Sequence, residues 1–181
     1  MELSRRGLIR LAGATGLTVA TGTVLAAAAA SPAQASQNGW RWCRQCQGLW
    51  FAGNATNGAC PLPATSGHSL DGSGNYTVPT GSEGDQAGWT WCKLCQGLWY
   101  SLHPTNGVCP ARPSSSVGHE RAGSGSYSIN KDGGGGQDHW RWCQQCEGLW
   151  FSANGVSGAC PAVGGRSHSL VGSGNYHLDV D

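Results

Sequence analysis

Apolar positions along the chain fall into two regimes. Leu11 to Ala30 is a nearly continuous run of Ala, Leu, Val, Gly and Thr, whereas beyond Ser36 no window carries apolar residues at helical spacing over three turns. What recurs there are short aromatic and β-branched clusters such as Trp40-Arg41-Trp42, Leu49-Trp50-Phe51 and Tyr76-Thr77-Val78. Each follows directly on Gly or Asn. Side chains that suit a pleated surface, cut every few residues by turn formers, predict short strands and an all-β fold.

The clusters repeat with a period near fifty residues, Cys43 to Cys92 to Cys143. Each copy opens Trp-x-Trp-Cys-x-x-Cys-x-Gly-Leu-Trp followed by Phe or Tyr: Trp40 to Phe51, Trp89 to Tyr100 and Trp140 to Phe151. A Gly-Ala/Val-Cys-Pro segment follows, ending at Pro61, Pro110 and Pro161, then a histidine (His68, His119, His168) and a Gly-Ser-Gly-x-Tyr tail ending at Tyr76, Tyr127 and Tyr176. All nine cysteines and all nine tryptophans lie inside this pattern. The repeats are taken as residues 39–80, 88–129 and 139–180, each with three or four short strands. Polar, glycine-rich stretches around Gly81 to Gly88 and Asp132 to Asp138 read as loops or linkers between them.

Within each copy the spacing is Cys-x2-Cys-x13-Cys-x7-His, lengthened to x9 before His119. Zinc takes four nitrogen or sulfur donors at tetrahedral corners, and structural sites commonly draw them as a Cys-x2-Cys pair from one turn and a distant pair from another. Three zinc ions are therefore expected, on Cys43, Cys46, Cys60 and His68; Cys92, Cys95, Cys109 and His119; and Cys143, Cys146, Cys160 and His168. Gly48, Gly97 and Gly148 fit a tight reversal through positive φ. Four protein ligands close the coordination, leaving no position for substrate or activated water, so the ions would be staples and not catalysts.

Disulfides, which persist in oxidising compartments, are the competing reading. Nine cysteines cannot all pair, however, and three per copy leave an odd thiol in each. Bridges also give no reason for a histidine at a nearly fixed distance. A thioredoxin-like role is disfavoured because Gly-Leu-Trp, not a helix, follows Cys-x-x-Cys.

Tryptophans two apart share one strand face. The second of each pair is expected in the core and the first, Trp40, Trp89 and Trp140, nearer the surface, where a ring can stack on a sugar. His103, His139 and His177 stand outside the pattern and are expected in solvent. Glu147, Asp71 and Glu120 are likewise unrepeated, and no pair of acids recurs at a spacing suited to general acid/base chemistry. No catalytic residue is assigned.

Charge narrows the partners. Of eleven bases and ten acids, Arg5, Arg6, Arg10 and Glu2 lie in the leader, which leaves eight against nine in residues 36–181. Without a basic stripe, nucleic acid is not an expected partner despite the finger-like cysteines. Ser4-Arg5-Arg6-Gly7-Leu8-Ile9-Arg10, followed by the apolar run and by Ala33-Gln34-Ala35, resembles a twin-arginine signal peptide spanning residues 1–35, with cleavage before Ser36. That resemblance implies export of a folded protein, with no membrane attachment after cleavage and with metal bound before the thiols meet an oxidising exterior.

The repeat unit as a whole is similar to tandem repeats of secreted actinobacterial proteins, over nearly all of residues 39–180. The resemblance implies export and repetition and carries no activity. For architecture, one closed pseudo-threefold, β-trefoil-like all-β domain of zinc-ribbon-like repeats is expected, with three independent zinc-stapled beads as the alternative. The expected function is a secreted, non-enzymatic module binding carbohydrate or cell-envelope polymer. Extracytoplasmic zinc or copper buffering, or an enzyme whose site assembles only in space, are the alternatives.

Overall fold

The computed structural model describes residues 35–62 and 66–181. The expected signal peptide, with Arg5 and Arg6, lies outside the described residues except for Ala35. Each repeat contributes three strands: β1 (Ser36–Trp42), β2 (Leu49–Phe51) and β3 (Tyr76–Pro79); β4 (Gln86–Trp91), β5 (Leu98–Tyr100) and β6 (Ser126–Lys131); β7 (Gln137–Trp142), β8 (Leu149–Phe151) and β9 (Tyr176–Val180). The one helical element among the described residues is a 3-10 turn at Pro161–Val163.

Local structure is the same in each copy. The first two strands form a hairpin around the Cys-x-x-Cys segment, in register Trp40↔Phe51, Trp89↔Tyr100 and Trp140↔Phe151. The first strand pairs on its other edge with the third, and that ladder slips just before the first Trp. The residue there is left-handed in every copy, Gly39 (φ 90), Gly88 (φ 101) and His139 (φ 67), as a bulge requires. Asn75 and Asn175 accept from the Gly39 and His139 amides at 3.0 and 2.9 Å, so these tail asparagines are structural. The serine of each Gly-Ser-Gly likewise accepts from the amide of the second Trp, Ser73 from Trp42 at 2.8 Å.

The repeats close on one another. Strand β9 pairs with β3 and β6, and a Thr80↔Tyr127 bridge joins the remaining pair. A second ring runs through Trp50↔Gly97, Trp99↔Gly148 and Trp150↔Gly48. This is a single pseudo-threefold unit and not a string of beads. The glycine-rich connectors are packed at some glycines and open at Gly81, Gly133 and Gly135: Gly84 donates to Ser128 Oγ at 2.7 Å, and a Cβ there would sit 2.9 Å from the Ile129 nitrogen. Glycine serves close approach here, where the sequence suggested flexibility.

Trp40, Trp89 and Trp140 sit at the centre, each wholly buried. Each meets the tyrosine of the next repeat edge to face, Trp40 with Tyr127, Trp89 with Tyr176 and Trp140 with Tyr76, at 5.1 to 5.3 Å between ring centroids. The tyrosine hydroxyls donate across the same junctions, Tyr127 to Gln37, Tyr176 to Gln86 and Tyr76 to Gln137. Leu49, Leu98, Leu149, Val78, Ile129 and Leu178 complete the core.

The expected placement of the paired tryptophans is thus reversed. Trp40, Trp89 and Trp140 have no surface to offer a ligand, while Trp42, Trp91 and Trp142 are half-buried. Both members share a strand face, but the first is enclosed by rings from two strands and the second, last in its strand, packs from the edge. His177 is also corrected: it is buried, and its Nε2 accepts from the Gly133 amide at 3.2 Å. His103 and His139 keep the exposure expected of them.

Candidate metal centres

Each hairpin carries its Cys-x-x-Cys on the turn between its strands. Cys43 N donates to Gly48 O at 3.0 Å and Gln47 N to Cys43 O at 2.7 Å, and the same pair of bonds recurs at Cys92 and Cys143. The left-handed residue of this turn is Gln47 (φ 63), Gln96 (φ 66) or Glu147 (φ 64). Gly48, Gly97 and Gly148, expected there, follow it and take part in the bridges between repeats.

The turn, the Gly-Ala/Val-Cys-Pro segment and the histidine converge. In all three sets of four the ligand atoms lie within 4.8 Å of one another. Cys46, Cys95 and Cys146 Sγ stand 3.5, 3.5 and 3.6 Å from the Nδ1 of His68, His119 and His168. Cys92 to Cys109 and Cys143 to Cys160 sulfur distances are 3.8 and 3.9 Å. A disulfide would bring two sulfurs to about 2.05 Å. Zinc bonds of about 2.3 Å to sulfur and 2.0 to 2.1 Å to nitrogen imply tetrahedral edges of about 3.8 Å for S···S and about 3.6 Å for S···N. The nine thiols are free, and their spacing fits one tetrahedral ion per repeat.

Electrostatics point the same way. Cys43, Cys92 and Cys143 are held far below the ordinary thiol range, chiefly by hydrogen bonds from the neighbouring cysteines. Backbone amides of Ser69, Glu120 and Ser169 point at the same sulfurs from 3.4 to 3.5 Å. Cys46, hydrogen-bonded to the Cys43 sulfur, is pushed well above that range, and Cys95 is raised by burial. Hydrogen bonds to Cys92 and Cys143 push Cys109 and Cys160 up to about 11. Burial pulls His68 down, but the Cys43 and Cys60 sulfurs outweigh it and raise it to about 9. Such donor sets concentrate negative charge, which a cation would neutralise.

Support comes from outside the ligands. Trp50, Trp99 and Trp150 stack on His68, His119 and His168 at 5.1 to 5.3 Å with the planes within 20°. His68 Nε2 donates to the Cys95 carbonyl at 3.2 Å and His119 Nε2 to the Cys146 carbonyl at 3.1 Å. A carbonyl can only accept, so Nε2 carries a proton and Nδ1 is the nitrogen that faces the centre, where its lone pair binds an ion once any proton on it is displaced.

No family model, curated protein or solved structure matches this chain. Its own geometry carries the functional reading.

One group of residues escaped the sequence reading. The residue after the second cysteine accepts from the rim indole: Trp42 Nε1 and Trp91 Nε1 donate to Gln47 and Gln96 at 3.2 Å, and Trp142 Nε1 to Glu147 at 2.7 Å. It also receives a side chain from the preceding repeat: Asn54 to Gln96 and Asn154 to Gln47 at 2.8 Å, and His103 to Glu147. The available signal was the Gln, Gln, Glu series at one repeat position, matched by Asn54, His103 and Asn154 at another.

Proposed function

We propose that this chain is an exported, non-enzymatic repeat protein in which three structural zinc ions fix a closed fold that binds neutral carbohydrate, such as a cell-envelope polymer. The metal part is supported by one observation: the S···N distances of all three centres, and the S···S distances of the second and third, match the edges expected of a zinc tetrahedron. Softer sulfur donors with one imidazole favour zinc among common divalent ions. The protein's residues complete the coordination and bury it, since all nine cysteines but Cys60 are buried. That suits a staple better than an exchangeable buffer. The twin-arginine-like leader supports export with the ions already bound.

A cleft of about 210 Å3 between the first two repeats supports the binding part. Half-buried Trp91 and Phe51 line it, with Gln37, Asn54, Gly123 and Tyr127. The Trp91 ring is fixed because its N–H is held by Gln96. An immobile indole face beside amide and hydroxyl groups, with no acid or base in the lining, suits a neutral sugar ring. At the corresponding junction of repeats 2 and 3, His103 packs edge-on against both Tyr100 and Trp142 at 4.9 Å. The aromatic surface there is covered.

Native mass spectrometry of the chain from Ser36 onward should find three zinc ions and nine reduced cysteines; a mass deficit matching disulfides would remove the metal reading. Pull-down on insoluble polysaccharides and cell-wall preparations should retain the protein, and Trp91→Ala should abolish retention while the metal content stays at three. Failure of the unaltered protein to bind any of them sinks the carbohydrate reading.

A further inference from the structure

The three centres share a scaffold in which each cysteine turn is held by the preceding repeat. The carbonyl of Cys95 accepts from His68 Nε2, a ligand of the first centre, and the carbonyl of Cys146 accepts from His119 Nε2, a ligand of the second. One residue further on, Gln96 O accepts from Phe51 N, Glu147 O from Tyr100 N and Gln47 O from Phe151 N, at 2.8 to 2.9 Å. Amides complete the contact, Ala59 N to Cys95 O at 3.4 Å and Ala159 N to Cys46 O at 3.2 Å. Gly58, Gly107 and Gly158 let the third-cysteine loop lie against the next repeat's turn, because a Cβ at any of them would collide with the carbonyl of Cys95, Cys146 or Cys46.

From this ring of contacts we infer that the three centres load and release metal cooperatively, each ion organising the turn that orients its neighbour's ligands. The inference rests on the metal reading above and adds a coupling between the sites. An ion at the second centre fixes the Cys92-to-Cys95 turn and thereby the carbonyl that sets the tautomer and direction of His68. An empty centre removes that anchor, so its neighbour binds a less organised donor set. Because the contacts run from repeat 1 to 2, 2 to 3 and 3 to 1, no centre is independent of the other two.

The test is zinc titration of the reduced, metal-free chain under native mass spectrometry. Independent sites at half saturation leave about three quarters of the molecules holding one or two ions. Coupled loading is expected to reduce those species below about one quarter, leaving mainly empty and three-ion protein. Three ions distributed in the independent proportions would overturn the coupling and leave the metal reading standing; failure to bind any ion would remove both. Gly107→Ala replaces no ligand and reaches no ligating atom but drives a methyl group into the Cys146 backbone carbonyl, and the one- and two-ion species should reappear. Gly135→Ala, whose Cβ meets nothing within 4 Å, should keep the wild-type distribution. An unchanged distribution in Gly107→Ala would show that the ring contacts do not carry the coupling.

Discussion

His103 Nδ1 stands 2.8 Å from Glu147 Oε2, and the two residues are the places where the second and third repeats depart together from the pattern of their neighbours. Equivalent positions hold Asn54 with Gln96 and Asn154 with Gln47. A buried carboxylate, whose side chain is 4% exposed, has replaced a buried amide, and an imidazole has replaced the amide that served it. Glu147 also accepts from Trp142 Nε1 and Thr105 Oγ1, so its oxygens are well supplied with donors.

Removing one partner should cost more than exchanging both. His103→Ala leaves a buried acid short of a donor and is expected to destabilise the metal-loaded protein by about 1–3 kcal/mol. His103→Asn with Glu147→Gln recreates the arrangement of the other junctions and should fall well short of the sum of the single effects. Thermal unfolding of the wild type, His103→Asn, Glu147→Gln and the double variant closes the cycle; additive effects would mean that the pair is not coupled.

Metal uptake should release protons. Without an ion, protons are retained at neutral pH by Cys46 and His68, by Cys95 and Cys109, and by Cys146 and Cys160, at least two for each centre. Zinc must displace them, so affinity rises with pH and falls as acid is added. Titration calorimetry in two buffers of different ionisation heat reads the number directly, and a heat that does not depend on buffer would contradict it.

The third centre should open first. His68 and His119 have their Nε2 held by the next repeat, whereas His168 Nε2 is buried with no hydrogen-bond partner. During slow chelation with an alkylating reagent present, modification should begin at Cys143, Cys146 and Cys160, with the other six thiols following as release spreads round the ring. Mass mapping of the cysteine peptides checks the order.

The tryptophans separate into roles with different costs. Trp99→Ala deletes the ring stacked on His119 together with a fully buried volume, and should destabilise by about 3–5 kcal/mol. Trp91→Ala removes a half-buried rim ring and should cost clearly less. Denaturant unfolding of the zinc-loaded proteins distinguishes the two.

Much of this was legible because three copies repeat the same message. The all-β character, the ligand sets and the closed arrangement follow from short aromatic clusters, fixed Cys and His spacings and a three-copy period. What stayed hidden depended on which surface meets the next repeat. Trp40 and Trp42 obey the same alternation, and only closure decides that the first is enclosed by Tyr127 and Phe51. Gly84 looked like a linker residue because close backbone packing and flexibility call for the same amino acid. His177 seemed unpatterned because its partner, the Gly133 amide, lies in a connector that differs between copies.

The contacts between repeats are heterologous: each joins one patch of a repeat to an unlike patch of the next, and a rotation by one third of a turn brings the last back to the first. That is the geometry of a cyclic homotrimer whose subunits have been joined end to end. A single repeat made as a separate chain would carry both patches unsatisfied. Three such chains could satisfy one another in the same ring, and the connectors would then act as tethers that raise the local concentration of partners the repeats already fit.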